Sequence, residues 1–133
     1  FTMLRNPSLI FDENKRTIKF HFDMMHGKGN LEKAIEFMNK RDQSDFREFV
    51  NTEVSFNPHN MFICKSYKIL EDYYSSIFPW LTEGERYFGL NLEGYGLKRI
   101  YGFLAERYMS FWFKKNTRCK TLPIIFKDIS EID

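Results

Sequence analysis

The most regular pattern of hydrophobic positions lies between residues 94 and 115. Apolar side chains recur there every three or four residues, a spacing that is typical of one face of an α-helix. They are Leu97, Ile100, Tyr101, Leu104, Tyr108, Phe111 and Trp112. The pattern predicts one long helix with an apolar stripe wide enough to pack against several elements. Glu106 should lie on the opposite side of this helix, one turn after Gly102.

Gly102 is an unusual residue for the interior of that helix, because glycine there costs about 1 kcal/mol relative to alanine. A glycine is favoured where another backbone packs closely or where a ligand needs the space. Close packing is the first expectation at Gly102, and ligand binding is the alternative.

The same spacing predicts three shorter helices. The first covers residues 31–40 and follows Asn30, whose side chain is suited to cap a helix N-terminus. Ser44 and Ser66 are the corresponding caps of the second and third helices. Pro79 is expected to end the third helix, and residues 82–96 are expected to be irregular.

Alternation of apolar and polar residues predicts strands elsewhere. Residues 9–11 and 17–22 should form a hairpin around a polar turn. The continuous apolar run at 61–64 indicates a short buried strand, and residues 120–126 a last strand at a sheet edge because of their proline. From these elements we expect an α/β-type domain that is mostly helical, with a few short strands.

The 133 residues suffice for a single domain with its own core, and 43% of them are hydrophobic. The formal net charge of +2 disfavours nucleic-acid binding, which would require a strongly basic face. Four cations near the end of the long helix complement its dipole or contact an anionic lipid surface: Lys114, Lys115, Arg118 and Lys120. Two distant cysteines and the lack of an apolar run of about 20 residues favour a reducing, cytoplasmic compartment. The chain begins at Phe1, which suggests an excised part of a longer protein.

Two histidines are candidates for ligand binding. His26 stands in a glycine-flanked segment that we expect to be a loop, and loops often carry function. His59 follows a proline just before the predicted buried strand, where it could face a cleft. His21 is expected to be structural. No histidine has a second metal ligand three or four residues away, so no metal ligands are predicted in this chain.

Two segments carry a more specific pattern. The first consists of residues 57–65 (NPHNMFICK) and 73–81 (YYSSIFPWL), and the second of residues 99–107 (RIYGFLAER). Together, across roughly residues 20–115, they resemble a large, poorly characterised family of bacterial glycosyltransferase-like proteins. The genes of that family lie in capsule, O-antigen and exopolysaccharide loci.

The resemblance implies a GT-A-like fold, of which residues 1–133 would be the C-terminal part. It implies sugar transfer from a nucleotide-sugar donor to a glycan or lipid-linked glycan acceptor, for a cell-surface polysaccharide. A divalent cation (Mn²⁺ or Mg²⁺) would be bound mainly by residues outside this chain, which contains no Asp-x-Asp. The implied location is the cytoplasm, with a peripheral contact at the inner face of the membrane.

On this resemblance, Glu106 is the first choice for the catalytic base or for a ligand of the acceptor hydroxyl, because an inverting transfer needs a carboxylate there. Gly102 would leave space beside it, and Arg107 would orient the carboxylate or meet a phosphate. His59 and Asn60 would line the substrate cleft, with His26 as a further substrate-binding residue. The alternatives are a purely structural Glu106–Arg107 ion pair and a non-catalytic carbohydrate- or protein-binding domain.

Overall fold

The computed structural model describes residues 2–5, 16–123, 125 and 127–130. In these residues six helices and three short strands follow one another along the chain. They are β1 (Thr2–Arg5), α1 (Ile18–His26), α2 (Asn30–Glu36), α3 (Lys40–Thr52), β2 (Phe62–Ile63), α4 (Tyr67–Phe88), α5 (Tyr95–Lys98), α6 (Ile100–Asn116) and β3 (Lys120–Pro123).

The three strands form one small sheet in the order β2-β1-β3. Strand β1 pairs antiparallel with β2, with Thr2 opposite Ile63, and parallel with β3, with Thr2 opposite Lys120. All four residues of β3 are exposed, so the described strands do not build a helix-covered sheet. The α/β, GT-A-like fold that we expected is therefore wrong for this structure, which is mostly helical. The physical reason is that the helices bury their apolar faces against one another rather than on a parallel sheet.

Helix α6 lies at the centre of the core and packs against α3 and α4. The predicted long helix is confirmed, preceded by the single turn α5. The expectation of one apolar stripe is wrong for the second half of α6, which is buried outside the stripe as well. The buried residues outside the predicted stripe are Ala105, Arg107, Met109, Ser110 and Phe113.

Aromatic rings join the other helices to α6. The Phe46 ring of α3 lies 5.0 Å from Phe111 and 5.9 Å from Tyr108, measured between ring centroids. Trp80 of α4 packs 5.0 Å from Tyr108, and its indole N–H donates a 2.7 Å hydrogen bond to the carbonyl of Ala34 in α2. These contacts hold α6 in place and thereby define the position of its exposed face.

The predicted strand at residues 17–22 is wrong, because these residues form the cap and first turns of α1. Thr17 caps the helix by accepting a hydrogen bond from the backbone N–H of Phe20. Ile18, Phe22 and His26, four residues apart, are all buried. Residues 17–22 alternate like a strand but also fit the helical period. The burial of every fourth residue is the pattern of a helix face and not of a strand. The partner strand predicted at residues 9–11 lies outside the described residues.

Four helix boundaries differ from the predictions. Asn30 is the first residue of α2 rather than its cap, which is Gly29. Helix α2 ends at Glu36, and α3 begins after its cap Asn39 rather than after Ser44. The Ser66 cap of α4 is confirmed, since its hydroxyl accepts from the N–H of Ile69. Pro79 does not end α4, which continues to Phe88. The proline lies on the exposed side of the helix, and the residues on the other side remain packed in the core.

The strand predicted as buried at residues 61–64 is reduced to β2, and Ile63 is 62% exposed. Strand β3 confirms a last strand at a sheet edge, over four residues. In the part of the chain that the structure describes, no helix combines the length and the apolar character that a bilayer crossing requires.

Candidate functional site

The turn at residues 57–60 contains the most unusual backbone of the described structure. His59 and Asn60 have φ angles of 71° and 49°, so two consecutive non-glycine residues occupy the left-handed region. Such conformations cost of order 1 kcal/mol each and persist where the surrounding structure enforces them, often at functional sites. Helix α6 provides that enforcement.

One ridge of α6 holds the turn at three points. Gly102, Glu106 and Ser110 are spaced four residues apart and therefore lie one above the other on this ridge. The Asn60 side-chain amide donates to the carbonyl of Gly102 at 3.2 Å, and the backbone N–H of His59 donates to Oε1 of Glu106 at 3.1 Å.

The third point lies deeper in the core. The buried backbone N–H of Asn57 donates to the hydroxyl of Ser110 at 2.8 Å. Residues 57–60 thus run along the ridge and form one hydrogen bond with each successive turn of α6. The sequence-predicted residues Asn60, His59, Gly102 and Glu106 are brought together by this arrangement.

Both carboxylate oxygens of Glu106 have partners. Oε1 accepts from the His59 backbone, and Oε2 lies 3.2 Å from Nη1 of Arg107. The Glu106 side chain is 16% exposed, and its hydrogen bond with the His59 N–H lies at the surface. Because each carboxylate oxygen accepts at two lone-pair positions, an additional hydroxyl can approach there. Glu106 both orders the turn and remains open to a ligand.

Arg107 lies beneath this surface, with its side chain 1% exposed. Its Nη1 also donates to the carbonyl of Phe103, its Nη2 lies 3.2 Å from Nδ1 of His21, and its guanidinium stacks 4.2 Å from the Phe56 ring centroid. Burial lowers the pKa of Arg107 to about 10, with Glu106 opposing, so the group stays cationic at neutral pH. This geometry favours orientation of the Glu106 carboxylate over direct contact with a phosphate.

His26 is the last residue of α1 rather than part of a loop, and it is only 5% exposed. Its ring stacks on Phe103 with centroids 3.9 Å apart, and its Nδ1 lies 3.1 Å from the carbonyl of Gly96. Burial, and then the charge of Arg107, lowers the pKa of His26 and of His21 to about 4. Both histidines are therefore neutral at pH 7, which suits their place beside a buried cation. His26 supports Phe103 from behind instead of reaching the surface.

Gly96, and not Gly102, is the glycine that close packing requires. A Cβ atom at Gly96 would lie 2.2 Å from the carbonyl oxygen of Met25 at the end of α1. A Cβ atom at Gly102 would meet no described atom within 4 Å. The packing explanation expected for Gly102 is therefore wrong, and the space beside this glycine is open.

The residues around that space form what we call the Gly102 face: Gly102, Phe103 and Glu106 of α6, Arg99 directly before its first residue, and Asn60 beside them. Arg99 and Phe103 were not among the sequence-predicted site residues. Their spacing was the available signal, because Arg99, Phe103 and Glu106 follow one another at intervals of four and three residues, which places them on the same side of a helix.

The basic residues near the end of α6 are engaged with acids. Lys114 lies 3.0 Å from a carboxylate oxygen of Glu53, and Lys115 lies 2.9 Å and 2.8 Å from Asp42 and Asp45. These ion pairs tie α6 to α3 and to the segment after it. Among the residues that the structure describes, no group of three or more His, Cys, Asp or Glu side chains could hold a metal ion.

Comparison with known proteins gives one result. No curated protein and no solved structure matches the chain significantly. The model of one family, described as a domain of unknown function, matches residues 3–117, which include the turn, α6 and the whole Gly102 face. The chain belongs to this family, DUF4422.

Proposed function

We propose that the chain is part of a glycosyltransferase that transfers a sugar from a nucleotide-sugar donor to a bacterial cell-surface polysaccharide precursor. One observation carries the proposal. The two segments that resemble glycosyltransferase-like proteins, 57–65 and 99–107, are far apart in sequence but meet through the His59–Glu106 and Asn60–Gly102 hydrogen bonds. A strained turn held against an open helix face is the kind of arrangement that binds a substrate.

In the proposed reaction, Glu106 accepts the proton of an acceptor hydroxyl. The hydroxyl oxygen then forms a bond to the anomeric carbon of the donor, while the bond from that carbon to the diphosphate breaks and its electron pair leaves with the diphosphate. The His59 N–H and Arg107 hold the carboxylate in position. Asn60 and the exposed imidazole of His59 bind sugar hydroxyls beside it.

We assign the nucleotide, and most of the ligands of a divalent cation, to residues outside this chain. The described residues do not fit a metal site, so no step above passes through a metal ion. The proposed location is the cytoplasm, at the inner face of the membrane, where a lipid-linked acceptor would be reached through a peripheral contact.

A second candidate is a non-catalytic carbohydrate- or protein-binding domain. The observation that favours it is the engagement of both Glu106 oxygens within the fold, which would serve a purely structural role equally well. An open groove of about 740 Å³, lined in part by Asn60, Ile63 and Tyr74, adjoins the turn and would suit such binding.

Ligand-dependent stabilisation separates the two candidates. A ligand that binds the native state at a hundredfold excess over its Kd stabilises it by about 2.7 kcal/mol, which thermal denaturation detects readily. For the transferase we expect a rise in Tm with a nucleoside diphosphate or nucleotide sugar that depends on Mn²⁺, in the full-length protein. A rise with glycan fragments but with no nucleotide would instead support the binding domain.

The Glu106→Gln variant then tests the catalytic role. Glutamine keeps one oxygen, which can accept from the His59 N–H or from Arg107 but not at both positions, and it cannot take up a proton. We expect loss of transfer, and the Tm of the variant shows whether the fold is retained. Glu48→Gln is the matched control, because Glu48 is an exposed glutamate of α3. Full transferase activity in Glu106→Gln would remove Glu106 from the mechanism and leave it as a residue that orders the turn.

A further inference from the structure

Arg99 stands at one end of the Gly102 face with its charge uncompensated. Among the described residues no carboxylate lies within ion-pair distance of its guanidinium, although the chain uses most of its other helix-surface cations in such pairs. Arg99 is exposed and precedes Gly102 by one helical turn. A free cation beside open space is a candidate for binding an anionic ligand.

Two aromatic rings orient this cation. The guanidinium carbon lies 5.4 Å from the ring centroid of Tyr95 and 5.8 Å from that of Phe103, and Nη1 donates to the Tyr95 hydroxyl at 3.0 Å. Arginine has five N–H donors, so one bond to Tyr95 leaves the others available. Stacking restricts the side chain in advance and reduces the entropy that a ligand would otherwise have to offset.

The face continues from Arg99 to Glu106. Seven residues separate them, which corresponds to about 10 Å along the helix axis. Between them lie the open space at Gly102, the Phe103 ring and the side-chain amide of Asn60. A ligand along this line would meet a cation first, then an aromatic ring and an amide, and finally a carboxylate.

We propose that the Gly102 face binds an acidic glycan, with the carboxylate of a hexuronic acid unit on Arg99 and a hydroxyl of the adjoining sugar at Glu106. The planar, bidentate fit of a carboxylate to a guanidinium supplies the specificity. The apolar C–H face of the sugar packs on Phe103. The inference rests on the proposed function and names its acceptor class.

The balance of charge favours a monoanionic sugar over a diphosphate on this face. Arg99 supplies one positive charge, and the Glu106–Arg107 ion pair at the other end of the face adds no net charge. A dianionic diphosphate would exceed the single charge of Arg99, whereas a uronic acid matches it with one carboxylate and presents only hydroxyls to Glu106.

The test is calorimetric titration of this chain, at low ionic strength, with three probes. They are a glucuronic acid–glucose disaccharide, cellobiose as its neutral counterpart, and UDP. We expect the acidic disaccharide to bind at least tenfold more tightly than cellobiose. Arg99→Gln should abolish this preference, so that the two disaccharides bind with equal affinity, and Arg99→Lys should retain part of it because the charge remains without the bidentate geometry.

Arg86→Gln is the matched control, since Arg86 is an exposed arginine of α4 that already pairs with Glu83, and it should keep the full preference. Equal affinity for the two disaccharides, or a preference that survives in Arg99→Gln, overturns the acidic-glycan inference and leaves the transferase proposal intact. UDP binding that is lost in Arg99→Gln also overturns it, because Arg99 would then hold the donor. If none of the three probes binds and no nucleotide stabilises the full-length protein, both proposals fail.

Discussion

Substitution of Gly102 by alanine should make the protein more stable. Gly102 lies in the first turn and a half of α6, its φ is not positive, and an added Cβ would meet no described atom within 4 Å. The change therefore introduces neither backbone strain nor a steric conflict. What remains is the difference in helix propensity, which favours alanine by about 1 kcal/mol in a helix interior. For a chain of this size that corresponds to a rise in Tm of about 4 °C.

Urea denaturation measures the effect directly, with the fluorescence of the buried Trp80 and Trp112 as a probe of the core. Gly96→Ala is the matched opposite case, because its Cβ would lie 2.2 Å from the Met25 carbonyl oxygen. The close backbone of α1 would have to move, and we expect a loss of about 1–3 kcal/mol or more, as in other overpacked sites. A destabilised Gly102→Ala protein would refute the conclusion that the space beside Gly102 is open.

The same position links stability to binding. If a glycan lies across Gly102, a larger side chain must obstruct it even though the fold tolerates the change. We expect Gly102→Leu to remain folded but to bind the acidic disaccharide at least tenfold more weakly than the parent chain. Unchanged affinity in Gly102→Leu would show that the ligand does not use this space.

Three further predictions concern the supporting structure. The pKa of His21 and of His26 is about 4 in the folded protein against 6.5 unfolded, so the unfolded state binds more protons between those values. The free energy of unfolding should therefore be at its full value above about pH 7.5 and fall towards pH 4, with an upper limit to the slope of about 1.4 kcal/mol per pH unit for each histidine and about 2.7 for the two; urea titrations with a flat profile over this window would contradict it. Ser110→Ala leaves the buried N–H of Asn57 without its acceptor and should cost about 1–3 kcal/mol in denaturant unfolding, whereas a neutral effect would mean that water replaces the hydroxyl. Pro79→Ala should stabilise α4 by up to about 3 kcal/mol, because it restores a helix hydrogen bond on an exposed side; a lower Tm would show that the proline shapes the packing of α4.

Sequence patterns sufficed for elements whose local signals agree. The three- and four-residue spacing after residue 96 predicted α6, and Ser66 predicted the start of α4. They failed where a short segment satisfies both the strand and the helix period, as at residues 17–22. They also failed where a single helix-breaking residue predicted a helix end without regard to the side of the helix on which it lies. Pro79 shows the second case, since its cost depends on which side of the helix it occupies.

The residues of the candidate site likewise fall into those that the sequence could name and those that only the structure revealed. The motif residues His59, Asn60, Gly102 and Glu106 could be named from the sequence, through a resemblance that carries no distances. Only the tertiary structure showed that Arg107 is buried, that His26 supports Phe103 from behind, and that Arg99 joins the face.

The sequence by itself determined where the central helix runs and which of its residues could carry chemistry, because periodicity and residue type are local properties. The tertiary structure decided which residues meet, which are buried, and which glycine is needed for packing. Those outcomes depend on atoms that are distant in sequence, such as the Met25 carbonyl beside Gly96 and the His59 N–H beside Glu106. No pattern along one helix contains the position of such a neighbour.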